Sequence, residues 1–238
     1  MSAKKNSSSK VYENAAAALF DIYDGARVMS GGFGLSGNAE NCIAHLVKSG
    51  KKDLTIISNN CGNSGRGLAV LLQQNQVKKV HCSYVGGNPD LEARMNDGSV
   101  EVELNPQGTL AERIRAAGVG IGGFYTPTGV GTLIAEGKDE KVLNGRRMIF
   151  ESALHADFAI VRAHKVDPYG NCRFYRTSRN FSPAMAMAAK TTIVEADELV
   201  SLGELDADDV HLPGVFVQRV FQGRDHKNVI EFRTTSEC

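Results

Sequence analysis

The chain has 238 residues, with 27 Lys+Arg against 27 Asp+Glu and 42% hydrophobic against 23% charged residues. That length suits one large domain or two small ones and buries enough surface to need neither disulfide nor metal. The composition excludes a disordered chain, and zero net charge excludes a whole-molecule basic field for nucleic acid or an anionic membrane while leaving no self-repulsion against association.

Residues 1–10 are polar, with no apolar stretch, and read as a disordered tail rather than a secretory signal. Val11–Tyr23 reads as a helix, with propensity from Ala15–Leu19. Ala26–Ser30 is a short strand that enters Gly31-Gly-Phe-Gly34. Asn38–Lys48 is a helix with Asn38 at its N-cap, apolar at Ile43, Leu46 and Val47, and closed by Gly50. Asp53–Ser58 is a strand, Gly67–Gln76 a helix and Val77–Val85 a strand. Asp90–Asn96 is a helix, Ser99–Leu104 a strand and Thr109–Ala117 a helix.

Strand–helix alternation over short connections argues an α/β fold: an open, mainly parallel sheet flanked by helices. The later third changes character. Asn144-Gly145 between two strand-like arms over Lys141–Phe150 is a hairpin signal. Asp157–Lys165 is a strand, Asp167–Asn171 a turn, Asn180–Ala189 a helix and Thr191–Glu195 a strand. The hairpin predicts an antiparallel accessory layer. No repeat or low-complexity linker divides the chain, so residues 11–238 read as a single domain.

The five cysteines, Cys42, Cys61, Cys82, Cys172 and Cys238, form no CxxC and have no His at zinc-ligand spacing. An odd, scattered set reads as reduced thiols in a cytoplasmic protein, with no metal centre. There is no 18-residue apolar run to span a membrane.

Gly32-Phe-Gly34-Leu-Ser-Gly37 is a literal GxGxxG between a strand and a helix. Glycines without Cβ let backbone amides approach an anion, and a following helix N-terminus adds partial positive charge. A dinucleotide site also needs an acid at the end of the second strand, where Ser58-Asn59-Asn60 has none. The loop therefore suits a different anionic or acyl ligand.

The line Asp24–Gly37 resembles the first signature of the family I coenzyme A transferases, with its Gly-Gly-Phe and following glycines. Ser30 stands at that signature's third apolar position and Ala39 where the family has Pro. The resemblance continues in order through Ser58–Gly62, Ser83–Gly86, Pro106–Arg113, Phe124–Gly129 and Ser178–Phe181, and covers roughly residues 11–235. Asn59–Gly62 and Phe124-Tyr125 are most similar to alpha subunits of the branch that uses succinyl-CoA and 3-oxoacids.

That resemblance implies a reaction in which CoA moves between two carboxylic acids. A glutamate attacks the thioester, and an anhydride and an enzyme thioester follow. A carboxylate is a weak nucleophile, so such a reaction depends on covalent splitting and oxyanion stabilisation. In the family the glutamate sits in Ser-Glu-Asn-Gly on a separate beta subunit, and no Glu of this chain lies in that sequence. The resemblance thus implies a hetero-oligomer in ketone-body metabolism, with the coenzyme A thioester as substrate and no cofactor.

What this chain supplies is donors. Gln107 follows the Ser99–Leu104 strand and is uncharged, so it can donate to an oxyanion without neutralising a nearby glutamate. Asn59 and Asn60 stand where another strand ends. These three are the candidate catalytic residues. Candidate substrate and CoA contacts are Gly31, Gly32, Phe33, Gly34, Leu35, Ser36 and Gly37, and Gly122, Gly123, Phe124, Thr126 and Thr128 in a loop with six glycines over Gly118–Thr132. Arg113, Arg115, Arg176 and Arg179 are candidate phosphate contacts, and His164 reads as structural rather than as a base. Alternatives are acetate/acetoacetate or 3-oxoadipate as the acid, a non-enzymatic acyl-CoA-binding module, and a sugar-phosphate isomerase, which would need an acidic base that the glycine loops lack.

Overall fold

The computed structural model of the chain describes residues 9–225 and residue 230. The expected tail therefore lies almost wholly outside the described residues, as does Cys238.

The helices α1 (Ala15–Ala18), α2 (Glu40–Ser49), α3 (Ala69–Gln73) and α4 (Pro89–Asn96) alternate with strands β1 (Arg27–Ser30), β2 (Leu54–Ile57), β3 (Val77–Cys82) and β4 (Glu101–Leu104). Then come α5 (Gln107–Gly118), β5 (Gly123–Thr126), β6 (Glu140–Leu143), β7 (Arg146–Ser152), β8 (Ala156–Val166), β9 (Cys172–Arg173), α6 (Ser182–Ala188), β10 (Ala189–Leu199) and β11 (Arg219–Gln222).

The main sheet has the order β11-β10-β8-β1-β2-β3-β4, all parallel, with β9 antiparallel on β8. Strand side chains alternate between its two faces. Val28 and Ile56 join the core under α1–α4, with Ile43, Leu46, Leu72 and Leu91. Met29 and Ile57 turn to the other face, beneath Leu110 and Ile114 of α5 and Met185 of α6. Fully burying one such Leu or Ile side chain contributes about 1.5–3 kcal/mol. The chain runs outward from β1 through β2, β3 and β4, then returns to place β8 on the other side of β1. The β1–β8 seam is therefore the point where the winding reverses, and crevices for ligands open there at the carboxyl ends of the strands.

The predicted hairpin is present. Leu143 pairs with Arg146 across Asn144 (φ 51°) and Gly145 (φ 75°), the two positive φ values of a type I′ turn. It forms a separate antiparallel sheet in the order β5-β7-β6. The strand β5 lies inside the segment that the sequence reads as a glycine-rich loop. The turn over Asp167–Asn171 is built by Asp167 Oδ1, which accepts from the backbone N–H of Tyr169 (2.9 Å) and Asn171 (3.0 Å).

Two expectations are corrected. The helix expected over Val11–Tyr23 shrinks to α1, because Tyr12 N–H donates to Val220 O (2.7 Å) and Val220 N–H to Lys10 O (2.9 Å). Residues 10–12 thus bridge to β11, a strand absent from the sequence reading. The second concerns Asn38. It makes no N-cap bond, and α2 begins after Ala39 with no local capping side chain. Glu195, fully buried in β10, instead accepts from the N–H groups of Asn41 (2.8 Å) and Cys42 (3.1 Å) at the first turn of α2. A carboxylate on those orphan donors does the cap's work from about 150 residues away.

Candidate active site

Four connections leave the carboxyl ends of neighbouring parallel strands: Gly31–Gly37 after β1, Ser58–Gly67 after β2, Ser83–Asn88 after β3 and Asn105–Pro106 after β4. Hydrogen bonds carry the pairing past the strand ends. Ser58 Oγ donates to Ser30 O (2.9 Å), Ser83 N–H to Asn59 O (2.9 Å) and Asn105 N–H to Cys82 O (2.8 Å). The connections are therefore a continuation of the sheet and hold their side chains in fixed places.

The first two connections contain the same tight turn. Phe33 and Ser36 exchange backbone hydrogen bonds at 3.0 Å, and Asn63 and Arg66 do so at 3.2 and 2.8 Å. Asn38, 3% exposed, fills the space between them. A Cβ on Gly32, whose φ is +126°, would stand 2.0 Å from Asn38 Oδ1, and one on Gly67 would stand 2.7 Å from Asn38 Nδ2. The glycine loop is thus packed on a buried amide.

Three of the predicted residues form one chain of contacts. Gly34 N–H donates to Asn59 Oδ1 (3.0 Å), and Asn59 Nδ2 donates to Gln107 Oε1 (2.7 Å). Gln107 Nε2 is buried and has no hydrogen-bond partner among the described residues. A buried amide donor left unpaired costs free energy, about 1–3 kcal/mol, unless something accepts from it. It stands just past the end of β4, on the first residue of α5, a helix that the sequence reading starts only at Thr109.

Asn60 is also buried, but its Nδ2 turns back to Asn63 Oδ1 (3.3 Å) within its own connection. Phe33 is 54% exposed and stacks on Phe181, with ring centroids 6.3 Å apart. Leu35, 3% exposed, borders with Ser36 and Gly37 a cleft of about 440 Å³ beside the β1–β8 seam. The sequence reading misses two features here. Asn180 Oδ1 accepts from Gly32 N–H (3.0 Å), and Asn180 Nδ2 donates to Ser36 O (3.3 Å), so it clamps both ends of the glycine turn. Arg162, paired with Asp197 (2.6 Å), lines the cleft from β8. Asn180 lies inside the Ser178–Phe181 segment that carries the family resemblance, which is the signal that could have found it.

The other candidates lie elsewhere. Gly122, Gly123, Phe124, Thr126 and Thr128 belong to β5 and its continuation, joined to the C-terminal half of α5 through Ala153 N–H on Gly122 O (3.0 Å) and Leu154 N–H on Arg113 O (2.9 Å). The twelve residues of α5, at about 1.5 Å rise each, separate that end from Gln107. Arg113 is no surface phosphate contact: it is 7% exposed and engaged with Glu103, Asn105 and Ser152. Arg115 pairs with Glu112 (2.6 Å), and Arg176 lies over the Tyr175 ring. His164 is different: it stands 3.5 Å from Asp197 Oδ2, edge-on to Tyr175, and lines the same cleft as Ser36 and Gly37.

Electrostatics beneath the site are strongly biased. The His81 ring, 3.2 Å away, with the Arg113 guanidinium and Lys79 ammonium, holds the Glu103 carboxyl far below its ordinary value despite partial burial. Burial pushes the Cys61 thiol well up and the Cys82 thiol to about 11, so neither is a nucleophile at neutral pH. Among the described residues no group of three His, Cys, Asp or Glu side chains is gathered to hold a metal, and no helix is long and apolar enough to cross a membrane.

Comparison with known proteins identifies the family and the fold. The family described as "Coenzyme A transferase" matches residues 12–223. One subunit of succinyl-CoA:3-ketoacid coenzyme A transferase from Helicobacter pylori strain J99 is 48% identical over 226 residues, covering 95% of this chain and 97% of that one. A probable counterpart from Bacillus subtilis is 50% identical over 229 residues, 96% of each chain. The corresponding subunit of 3-oxoadipate CoA-transferase from Pseudomonas putida is 50% identical over 89% of this chain and 92% of its own length. Among solved structures, an acyl-CoA transferase from E. coli O157:H7 superposes with a TM-score of 0.83 at 22% identity, covering 93% of this chain; this chain spans about half (48%) of that one. Glutaconate coenzyme A-transferase from Acidaminococcus fermentans gives 0.78 at 20% identity, over 90% of this chain and 75% of that one. These two share the fold. With the family match running over most of its length and near-half identity to relatives across nearly all of it, the chain belongs to the coenzyme A transferase family.

Proposed function

We propose that this chain is the alpha subunit of a two-subunit transferase that moves CoA from succinyl-CoA to a 3-oxoacid such as acetoacetate, as in ketone-body metabolism. The relatives from H. pylori and B. subtilis are named as one lettered subunit of such an enzyme, which supports the substrate class and a separate second chain. The nucleophilic glutamate is supplied by that second, beta chain, in a hetero-oligomer. The supporting observation is negative and local: no Ser-Glu-Asn-Gly occurs in this chain, and the carboxylate nearest Gln107 in sequence, Glu103, is committed to Arg113 and Lys79.

The observation that carries the reading is the unpartnered amide of Gln107, held by Asn59 against the glycine loop. When a carboxylate attacks a thioester, the carbonyl oxygen becomes negative and needs a preorganised donor. A neutral amide donates to it without forming a competing ion pair with the attacking glutamate. The CoA thioester and the acid are both substrates, and the chemistry needs no further cofactor. The glycine loop Gly31–Gly37 meets the acyl end, and the Gly122–Thr128 segment meets a more distant part of CoA or the partner. The four described cysteines are buried free thiols, which supports work in the reducing cytoplasm.

The test is reconstitution. The purified chain alone should transfer no CoA between succinyl-CoA and acetoacetate, and adding the beta chain should restore turnover. Robust transfer by the isolated chain overturns the reading. The P. putida relative favours a second acid, 3-oxoadipate. A higher kcat/KM for 3-oxoadipate than for acetoacetate in the same assay would select it.

A further inference from the structure

The helix α5 starts without a capping side chain, because Pro106 stands at its N-cap. Yet the side chain of its first residue, Gln107, has to meet Asn59 within 2.7 Å. The side chain that reaches the turn before α5 comes from further along the same helix. Arg113, 7% exposed, leans back toward the helix N-terminus, as helical side chains do. Its Nη1 donates to Asn105 Oδ1 and to Glu103 Oε1 (2.8 Å), and its Nε donates to Ser152 O of β7 (2.8 Å).

Asn105 is 4% exposed, and its Nδ2 donates to Glu103 O (3.0 Å). The turn Asn105–Pro106 is thus gripped between β4 and the Arg113 fork, and the next residue is Gln107. A buried guanidinium requires counter-charge. Glu103 supplies one, itself 3.1 Å from Lys79 Nζ. Glu151 supplies another at 3.9 Å and is 1% exposed, with Lys138 Nζ at 2.6 Å.

A buried ionic network of this kind adds little net stability over a well-packed apolar one, and in some proteins such groups fix one geometry against alternatives. The geometry points to Arg113 as the positioning residue that sets where α5 begins, and so where the Gln107 amide stands. This rests on the reading of Gln107 as the oxyanion donor.

The experiment is a double-mutant cycle in the reconstituted two-subunit enzyme. Arg113→Ala should lower kcat about 100-fold, the cost of a displaced catalytic group, with KM for succinyl-CoA little changed. In a Gln107→Ala background the same change should lower kcat no further, because the group it positions is gone. A purely structural Arg113 would instead lower the folded fraction equally in both backgrounds and leave kcat per folded site unchanged, and that result overturns the proposal. So does an additive cycle. Asn105→Ala is the milder variant, since it keeps the Arg113–Glu103 pair and deletes the hold on the turn. If Arg113→Ala fails to fold, the Asn105→Ala/Gln107→Ala cycle decides by the same criterion. A wild-type pair with no turnover overturns the proposed function and this inference together, whereas an active pair with an additive cycle overturns only this inference.

Discussion

Replacing Gln107 with Ala tests the site with two opposing stability effects of similar size. The substitution removes the acceptor of Asn59 Nδ2, in a residue only 4% exposed. Orphaning that donor costs about 1–3 kcal/mol. The same substitution deletes Gln107 Nε2, already buried and unpartnered among the described residues, and relieves a penalty of the same order. The two offset to within about 2 kcal/mol, so for a domain of this size Tm should move by less than about 8 °C. Turnover should respond quite differently. Loss of one oxyanion donor raises the barrier by ~2.7–4 kcal/mol, or about 100- to 1,000-fold in kcat. Gln107→Glu keeps an acceptor for Asn59 but sets a second carboxylate beside the developing oxyanion, so it should be at least as damaging. The assay is kcat of the reconstituted pair beside a thermal melt of each variant. Folded variants with near-normal kcat would refute the role of Gln107. A large fall in Tm with kcat per folded site intact would make it a structural glutamine.

Three further outcomes are expected. Gly62→Ala should destabilise by more than about 2 kcal/mol, because left-handed backbone penalises any Cβ; at φ +73° that Cβ would meet Arg66 O at 2.3 Å and Ala69 N at 2.5 Å, both backbone atoms, and an unchanged urea midpoint would count against the packing described. Glu103 has a depressed pKa, so its contribution is present at neutral pH and is lost as pH falls below the ordinary value of 4.5. Unfolding free energy measured from pH 7 to 3 should drop along that limb and flatten in Glu103→Gln, whereas identical slopes for both proteins would contradict it. In a Cys238→Ser background, iodoacetamide at pH 7.5 should label the native chain far more slowly than the urea-unfolded chain, since burial raises the Cys42, Cys61, Cys82 and Cys172 thiols. Equal labelling rates would show that the core opens readily.

Much of the framework is legible because its signals are local. The strand over Ala26–Ser30, the αL Gly50 that closes α2 (φ 64°) and the Asn144-Gly145 turn each follow from short-range patterns and match the structure. What escapes is set across long sequence distances. Nothing near Val11 announces that its backbone bridges to β11, or that Glu195 rather than Asn38 satisfies the start of α2. The glycines of the Gly118–Thr132 segment hide β5, whose pairing partner is β7. At the site, Gln107 and Asn59 are legible as donors at strand ends, but the bond between them is not, since they belong to different connections. Arg113 shows the same limit from the other side. A basic residue on a helix reads as solvent-facing until its buried counter-charges, Glu103 and Glu151, are seen around it.

The reversal of winding at β1 also has a consequence for the order in which the molecule is made. On the ribosome β1 to β4 emerge in sequence, each next to its neighbour in the sheet, so that half can begin to pair at once. The second edge of β1, with Val28 and Met29 fully buried in the finished fold, has no partner until β8 follows. About fifty residues separate β4 from β8, or roughly 3–10 s of synthesis at ~5–20 residues per second. During that interval an apolar strand edge stands open in the place that later becomes the floor of the crevice. Chains stalled before residue 156 should therefore be bound by chaperones and degraded readily, and resistance should rise in steps, first as β8 closes the open edge of β1 and then as β10, which ends at Leu199, covers the edge that β8 leaves open.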